Sequence, residues 1–188
     1  MAYNGQALQD KYVLNVLNNK KNGYFIEIGS HDPICINNTY VLETRYDWKG
    51  IMIEMDSNFL NSYKNHRPNS IHIINDATTI NYKELFETNN VPKNIDYLQL
   101  DLEPTNNSTL LTLIKLNDEV FDNHKFATIT FEHDCKDGLS HLPIIQNTRN
   151  ESRKILKNRG YIGVFEDINN QGANPFEDWY VHPELVNM

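Results

Sequence analysis

Short apolar runs rich in β-branched and aromatic residues alternate along the chain with longer segments in which apolar residues recur every three or four positions. This alternation is typical of β-α-β units and predicts a mostly parallel sheet covered by helices. The runs predicted as strands are Tyr24–Ile28, Gly50–Glu54, Ser70–Ile74, Ile95–Asp101, Phe126–Phe131, Tyr161–Glu166 and Trp179–His182. The segments predicted as helices are Gln6–Asn19, Asn38–Arg45, Ser57–Asn65, Tyr82–Thr88, Ser108–Leu116 and Ile144–Arg159.

The order of these elements is an N-terminal helix, five strand–helix units and a closing pair of strands. Gly160 stands directly after the last predicted helix, where a glycine commonly ends a helix. No linker or internal repeat interrupts the pattern, so residues 1–188 are predicted to form a single α/β domain with a seven-stranded sheet and helices on both faces.

Composition narrows the classes of function. The formal net charge is -8 at pH 7 and the basic residues are scattered, so a nucleic-acid substrate is not expected. No apolar run approaches the roughly 20 residues of a membrane span, and Met1–Asp10 lacks the apolar centre of a signal peptide. We therefore expect a cytoplasmic protein with no membrane partner. Cys35 and Cys135 fit neither a disulfide framework nor a zinc site.

Acidic residues stand at or just after the ends of five predicted strands. In open α/β sheets, ligands bind outside the carboxyl ends of the strands, so these positions mark the predicted site. The acidic residues there are Glu27, Asp32, Glu54, Asp56, Asp76, Asp101, Glu103, Glu132 and Asp134. The pattern indicates a ligand with hydroxyls, amines or positive charge.

The first of these exits contains a single glycine, Gly29, where a dinucleotide-binding fold would have GxGxxG to approach a pyrophosphate. The loop therefore disfavours NAD and FAD and suits S-adenosylmethionine (SAM), which has no phosphate. Glu54 ends the second strand, in the place where Rossmann-like folds hold ribose hydroxyls. Asp76 follows the third strand and either accepts from an adenine amino group or closes an Asx turn.

Two designs for the chemistry are open. Asp101 and Glu103 alternate with leucines and project to one side, where two like charges raise one pKa, and His133 lies between two acids. His133 or Asp101 then serves as a general base, unless His133 only bonds a backbone carbonyl. In the second design, Asp101, Glu132 and Asp134 hold Mg²⁺, which binds a vicinal diol.

Taken together, these motifs resemble the FkbM family of SAM-dependent methyltransferases. The resemblance covers nearly the whole chain and rests on Gly5–Gln6, Gln9–Asp10, Gly23–Gly29, Asn38–Thr39, Trp48–Glu54, Asn75–Ala77, Ile95–Glu103 and Thr130–Asp134. The chain departs from the family pattern at Pro33 and Pro104, where small residues are usual and where proline stiffens two ligand-facing loops.

The resemblance implies a Rossmann-like class I methyltransferase fold and O-methylation of a hydroxyl on a small molecule such as a sugar, nucleotide sugar or glycan. Residues 1–22 would form an N-terminal helical segment covering the SAM site. The SAM-binding residues it implies are Gln6, Asp10, Glu27, Gly29, Ser30, His31, Asn38, Thr39, Glu54, Asp76, Ala77 and Asp101. The resemblance also places Asp101 at the edge of the reaction centre, and with His133 and Glu103, taken from the residues themselves, Asp101 completes the predicted catalytic set.

Two other functions fit the same scaffold: a catalytically idle SAM-fold protein that acts in binding or assembly, and a different nucleotide-sugar-modifying enzyme. Acceptor selection is expected from the loop Asp137–Pro143 and from the aromatic tail 175–182, which alternatively packs on the sheet. A homo-oligomer is compatible with the sequence.

Overall fold

A computed structural model of the chain describes residues 3–135, 139–169 and 175–186. Its helices are α1 (Gln9–Val16), α2 (Tyr40–Tyr46), α3 (Leu60–His66), α4 (Tyr82–Thr88), α5 (Ser108–Glu119) and α6 (Pro143–Asn158). Its strands are β1 (Tyr24–Ile28), β2 (Lys49–Glu54), β3 (Ile71–Ile74), β4 (Asn94–Leu100), β5 (Lys125–Glu132), β6 (Ile162–Ile168) and β7 (Glu177–Val181). Short 3-10 turns occupy Ser57–Phe59 and Pro104–Asn106.

The strands form one seven-stranded sheet in the order β3-β2-β1-β4-β5-β7-β6. Strands β1 to β5 pair in parallel, whereas β7 is antiparallel to both β5 and β6. The predicted mostly parallel, seven-stranded α/β fold is confirmed. The strand order reverses between β1 and β4, so the crevice that receives a ligand lies at their carboxyl ends.

Alternate residues of the strands face two separate cores. On one face, Ile26, Ile53 and Leu98 pack with side chains of α4, α5 and α6. On the other, Phe25, Met52 and Tyr97 pack with side chains of α1, α2 and α3. The prediction that helices cover both faces of the sheet is therefore confirmed. A packed layer supports the sheet edge on each side of the cavity.

The element bounds differ from the predictions mainly at helix ends. Helix α1 was predicted over Gln6–Asn19 but starts at Gln9, because Leu8 adopts a left-handed conformation with φ 68°. It ends at Val16, and Asn18 and Asn19 follow with positive φ. The last helix ends at Asn158, one residue before its predicted end, and the predicted Gly160 follows it at φ 85° while the Tyr161 N–H donates to the Leu156 carbonyl.

Strand β7 begins two residues before its predicted start, at Glu177, and its tail aromatics pack on the sheet: Trp179 and Tyr180 are buried. Of the two roles predicted for the aromatic tail, the structure therefore shows packing on the sheet. Within the described residues, no helix combines the length and apolar character needed to cross a bilayer.

Candidate functional site

A cavity of about 620 Å³ opens at the carboxyl ends of β1, β2, β4 and β5. Eleven of the sequence-predicted site residues line it: Gln6, Glu27, Gly29, Ser30, His31, Asn38, Glu54, Asp101, Glu103, Glu132 and Asp134. The described lining includes neither lysine nor arginine. The cavity is therefore a concave surface rich in hydrogen-bond acceptors and negative charge.

A second cavity of about 360 Å³ adjoins the first and is lined by Asp76 and Ala77. Glu54, Leu102 and Glu103 line both cavities, so the two spaces meet at these residues. The arrangement suits an elongated ligand whose middle passes Glu54.

Gly29 makes the turn from β1 into the cavity wall. Its φ is 85°, and a Cβ at this position would lie 1.7 Å from the carbonyl oxygen of Asp101. Only glycine allows this close approach, because the left-handed conformation and the backbone contact both exclude a side chain. The Asp101 N–H donates to the Ile28 carbonyl, which joins the ends of β1 and β4 beside the cavity.

Glu54 ends β2 between the two cavities. Its Oε2 accepts from the His31 N–H at 2.8 Å, and its Oε1 accepts from the N–H groups of Met55 and Asp56 at 2.8 and 2.9 Å. These bonds fix the carboxylate and leave it half-buried, with lone pairs that can still accept from a ligand hydroxyl.

Asp76 closes a turn after β3. Its Oδ1 accepts from the N–H and the hydroxyl of Thr78 at 2.9 and 2.7 Å, which is an Asx turn. The residue still lines the second cavity, so turn formation and a place in the site coexist.

The buried polar side chains of Glu27, Asn38 and Gln99 form the floor of the first cavity. Glu27 is 1% exposed, and its Oε2 accepts from Asn37 Nδ2 at 3.2 Å; burial raises its pKa, and Arg67 opposes that rise. Gln99, 2% exposed, and Asn38, 4% exposed, have side-chain oxygens with no hydrogen-bond partner in the described part of the chain. Buried acceptors of this kind are costly unless a donor meets them, so the cavity floor fits a ligand that carries N–H donors.

Asp101 and Glu132, from the ends of β4 and β5, share a side-chain hydrogen bond. Burial, together with Asp101, Asp134 and Glu177, raises the pKa of Glu132 well above its ordinary value. Glu177 lies behind this pair, opposite Glu132 in the β5–β7 register, and burial raises its pKa to about 8. Two carboxyl groups in contact disfavour each other's ionisation, so the pair binds a proton more tightly than a lone carboxylate would.

His133 lies on the opposite face of the sheet from this pair and does not line the cavity. Its side chain is fully buried, its Nδ1 accepts from the Cys135 N–H at 3.2 Å, and its Nε2 lies 3.4 Å from Asp178 Oδ1. Asp178 is bound in turn by Arg153. The structure therefore does not bring His133 to the site where the sequence analysis expected a base.

The acidic trio predicted to hold Mg²⁺ does not form a compact ligand set. Across residues 3–135, 139–169 and 175–186, the one group of three or more His, Cys, Asp or Glu residues whose ligand atoms all lie within 4.8 Å of one another is His133, Asp167 and Asp178. Arg149 and Arg153 already bind those two aspartates, so their charge is neutralised without a metal ion.

Three other predicted residues have structural contacts. Asp10 is buried and accepts from the N–H groups of Asn4 and Lys11, which holds the start of α1. Thr39 is buried beneath the cavity wall. Glu103 caps the turn at Pro104–Asn106 by accepting from the Thr105 N–H at 3.0 Å.

Sequence reasoning missed Gln99, Glu177 and Arg67. Gln99 carries a readable signal, since a polar residue inside the apolar run of β4 demands a partner. Arg67 and Glu177 reach the site through contacts with residues far away in the chain, and the local sequence gives no sign of them. Of the predicted acceptor loop Asp137–Pro143, residues 137 and 138 lie outside the described residues.

No family model matches the sequence, and no curated protein matches it at a significant level. Solved structures do match. A protein of Clostridium thermocellum described as an rRNA methylase has 12% identity and a TM-score of 0.60 over 96% of this chain and 98% of that one. A TehB-like SAM-dependent methyltransferase of Corynebacterium glutamicum has 8% identity and a TM-score of 0.56 over 93% and 87% of the two chains.

A methyltransferase of Pyrococcus furiosus is similar to the same degree, with 13% identity and a TM-score of 0.55 over 94% of this chain and 82% of that one. At sequence identities this low, the similarity shows the fold and nothing more specific. The chain therefore has the Rossmann-like fold of class I methyltransferases, with its cavities at the sheet edge where that fold places its ligands.

Proposed function

We propose that the chain binds SAM and transfers its methyl group to a hydroxyl of a small polar molecule. The observation that carries the proposal is the pair of joined cavities at the carboxyl edge, lined by acceptors and meeting at Glu54. SAM has an ammonium, a sulfonium and two ribose hydroxyls, and its only anionic group is one carboxylate, so a lining of acceptors suits it better than a cofactor with phosphates.

The residues divide naturally among the parts of that ligand. Glu27 and Gln99 would accept from the ammonium of the methionine part, and Glu54 would accept from the ribose hydroxyls. Asp76 and Ala77 would border the adenine in the second cavity. The acidic lining disfavours NAD and FAD, whose diphosphates would be repelled, and so weakens the alternative of a nucleotide-sugar oxidoreductase.

Bound SAM would supply an activated methyl group, and the protein would have to orient the acceptor and remove its proton. We assign proton removal to the hydrogen-bonded pair of Asp101 and Glu132. As the acceptor oxygen bonds to the methyl carbon and the carbon–sulfur bond breaks, the hydroxyl proton would pass to the carboxylate of Glu132, the member of the pair whose raised pKa makes it the stronger base. The products are a methyl ether and S-adenosylhomocysteine.

The acceptor that this site favours is an uncharged, polyhydroxylated molecule such as a sugar unit of a glycan. The described cavity lining has carboxylates and no basic side chain, so a phosphate close to the reacting hydroxyl would be repelled. The same charge, with the net charge of -8, favours a glycan over a nucleotide sugar and over RNA.

Methyl transfer from isotope-labelled SAM to a panel of free glycans, nucleotide sugars and short RNAs tests this proposal, with product detected by mass spectrometry. A methyl ether on a glycan supports it. SAM binding without transfer to any acceptor would indicate the idle binding protein instead, and labelled RNA would refute the acceptor class.

A further inference from the structure

Arg67, the residue that ends α3, lies under the cavity with its side chain fully buried. Its Nε donates to Glu43 Oε2 at 2.8 Å, and its Nη2 donates to the Thr39 hydroxyl at 2.6 Å. Its Nη1 donates to Asn37 Oδ1 at 2.8 Å and to the Pro33 carbonyl at 3.3 Å. All three guanidinium nitrogens are therefore occupied by groups of α2 and of the segment 33–39.

That segment forms part of the cavity wall, since Cys35, Ile36, Asn37 and Asn38 all line the cavity. Asn37 links it to the floor by donating to Glu27 Oε2 at 3.2 Å and to the Ser30 carbonyl at 3.1 Å. Arg67 thus holds the wall and, through Asn37, the carboxylate of Glu27.

The buried cluster of Arg67, Glu27 and Glu43 has one basic and two acidic side chains. Arg67 Nη1 lies 4.0 Å from Glu27 Oε2, so one cation faces two carboxylates, Glu27 and Glu43. Glu43 receives further bonds from the Asn69 N–H and the Ser70 hydroxyl and does not line the cavity. Glu27 does line it, so the excess negative charge opens onto the ligand space through Glu27.

Arg67 is the cation that faces Glu27. Among the described residues, the phenols of Tyr63, from α3, and Tyr97, from β4, also interact electrostatically with Glu27, and the carboxyl groups of Glu54, Asp101 and Glu132 line the same cavity. Asn37, Thr39 and Ser30 contribute hydrogen bonds. Burial raises the pKa of Glu27, and Arg67 is the largest influence in the opposite direction.

We propose that Arg67 is a positioning residue that, directly and through Asn37, favours the carboxylate form of Glu27 and holds it towards the cavity, so that Glu27 binds the ammonium of the cofactor's methionine part. The proposal rests on the proposed function. Arg67 touches no ligand itself and acts through Glu27 and the segment 33–39.

Two nucleosides separate this role from a purely structural one. S-adenosylhomocysteine carries the amino-acid part with its ammonium, whereas 5′-methylthioadenosine has the same nucleoside with a methyl group in place of the amino-acid part. The variant Arg67→Gln/Glu43→Gln removes the cation together with its distant partner, which avoids leaving Glu43 buried without a counter-charge. Glu43→Gln alone is the matched control, and Arg67→Gln alone is measured wherever it folds.

By calorimetry at pH 7, the double variant should bind S-adenosylhomocysteine about tenfold or more weakly and methylthioadenosine within about twofold of wild type. Because Arg67 opposes the rise in the pKa of Glu27, removing Arg67 raises that pKa further, so the lost affinity should return in part as the pH is raised above 7. Glu43→Gln should lower the melting temperature and leave both affinities near wild type, since it leaves Glu27 and Arg67 in place.

Equal losses for the two nucleosides, a loss that does not change with pH, or no loss at all would overturn the role of Arg67. A wild-type protein that binds neither nucleoside would refute the proposed function instead. Binding of both by wild type, without discrimination by the variant, would refute the inference alone.

Discussion

Replacing Glu132 by glutamine tests the proposed proton acceptor. The amide is close in shape to the carboxyl group and can still hydrogen-bond Asp101, but it cannot take a proton. Glu132 is chosen because burial and three neighbouring carboxyl groups raise its pKa well above the ordinary value, which strengthens it as a base.

The expected loss of turnover is about 10²–10⁴-fold, the usual share of general acid–base catalysis. This corresponds to about 3–5 kcal/mol of transition-state stabilisation at about 1.4 kcal/mol per factor of ten. The Kd for SAM should stay within about threefold of wild type. Glu132 lies at the end of β5, whereas Glu54, the residue proposed to bind the ribose, lies at the end of β2.

The pH profile adds a second readout. Protonated Glu132 cannot accept a proton, so wild-type turnover should rise with pH as Glu132 ionises. In Glu132→Gln the residual rate depends on Asp101 without its charged neighbour, so the inflection should move to lower pH.

The assay is steady-state methyl transfer at saturating SAM from pH 5 to 9, with Glu166→Gln as the control, because Glu166 is exposed on β6 and lies outside the cavity lining. Turnover within threefold of wild type, or an unchanged inflection, would refute the assignment of the base.

Three further predictions concern other parts of the site. Glu54→Ala should weaken SAM binding by about 1.5–3 kcal/mol in calorimetry, the range for charge-assisted hydrogen bonds, and unchanged affinity would remove Glu54 from the site. Burial raises the pKa of Glu177 from 4.5 to about 8, so the free energy of unfolding of the wild type should fall as the pH rises through that interval. In Glu177→Gln the amide oxygen can still accept from Gln9 and Trp179. This variant should lack the fall, and urea unfolding at pH 7 should show a free energy of unfolding higher by on the order of 2–3 kcal/mol. Exhaustive chelation with EDTA should leave turnover unchanged, and rescue by Mg²⁺ would favour the metal design.

The sheet could be predicted because each strand is an apolar run bounded by polar or turn residues, and all seven runs became strands. The acids at strand ends could also be predicted to meet, since parallel strands end at one edge of the sheet. Glu27, Glu54, Asp101 and Glu132 do meet there.

His133 shows where the sequence reasoning stopped short. It follows Glu132 directly, and successive side chains near the end of a strand point to opposite faces, so the two residues could not both face the cavity. The alternation is visible in the sequence, and it places Glu132 and Asp134 on the cavity side and His133 on the other.

Arg67 and Glu177 could not have been found in this way. Arg67 binds partners 24 to 34 positions away, and Glu177 accepts from Gln9 across 168 positions. Such contacts depend on how α3 and β7 pack on the finished sheet, and no local pattern encodes them.

A crystal structure with S-adenosylhomocysteine tests the assignment of the two cavities most directly. We expect the ribose hydroxyls on the Glu54 carboxylate, the adenine beside Asp76 and Ala77, and the ammonium towards Glu27. Density for the ligand elsewhere, or empty cavities at millimolar ligand in crystals that leave the carboxyl edge accessible, would contradict the proposal that this chain is a SAM-dependent methyltransferase.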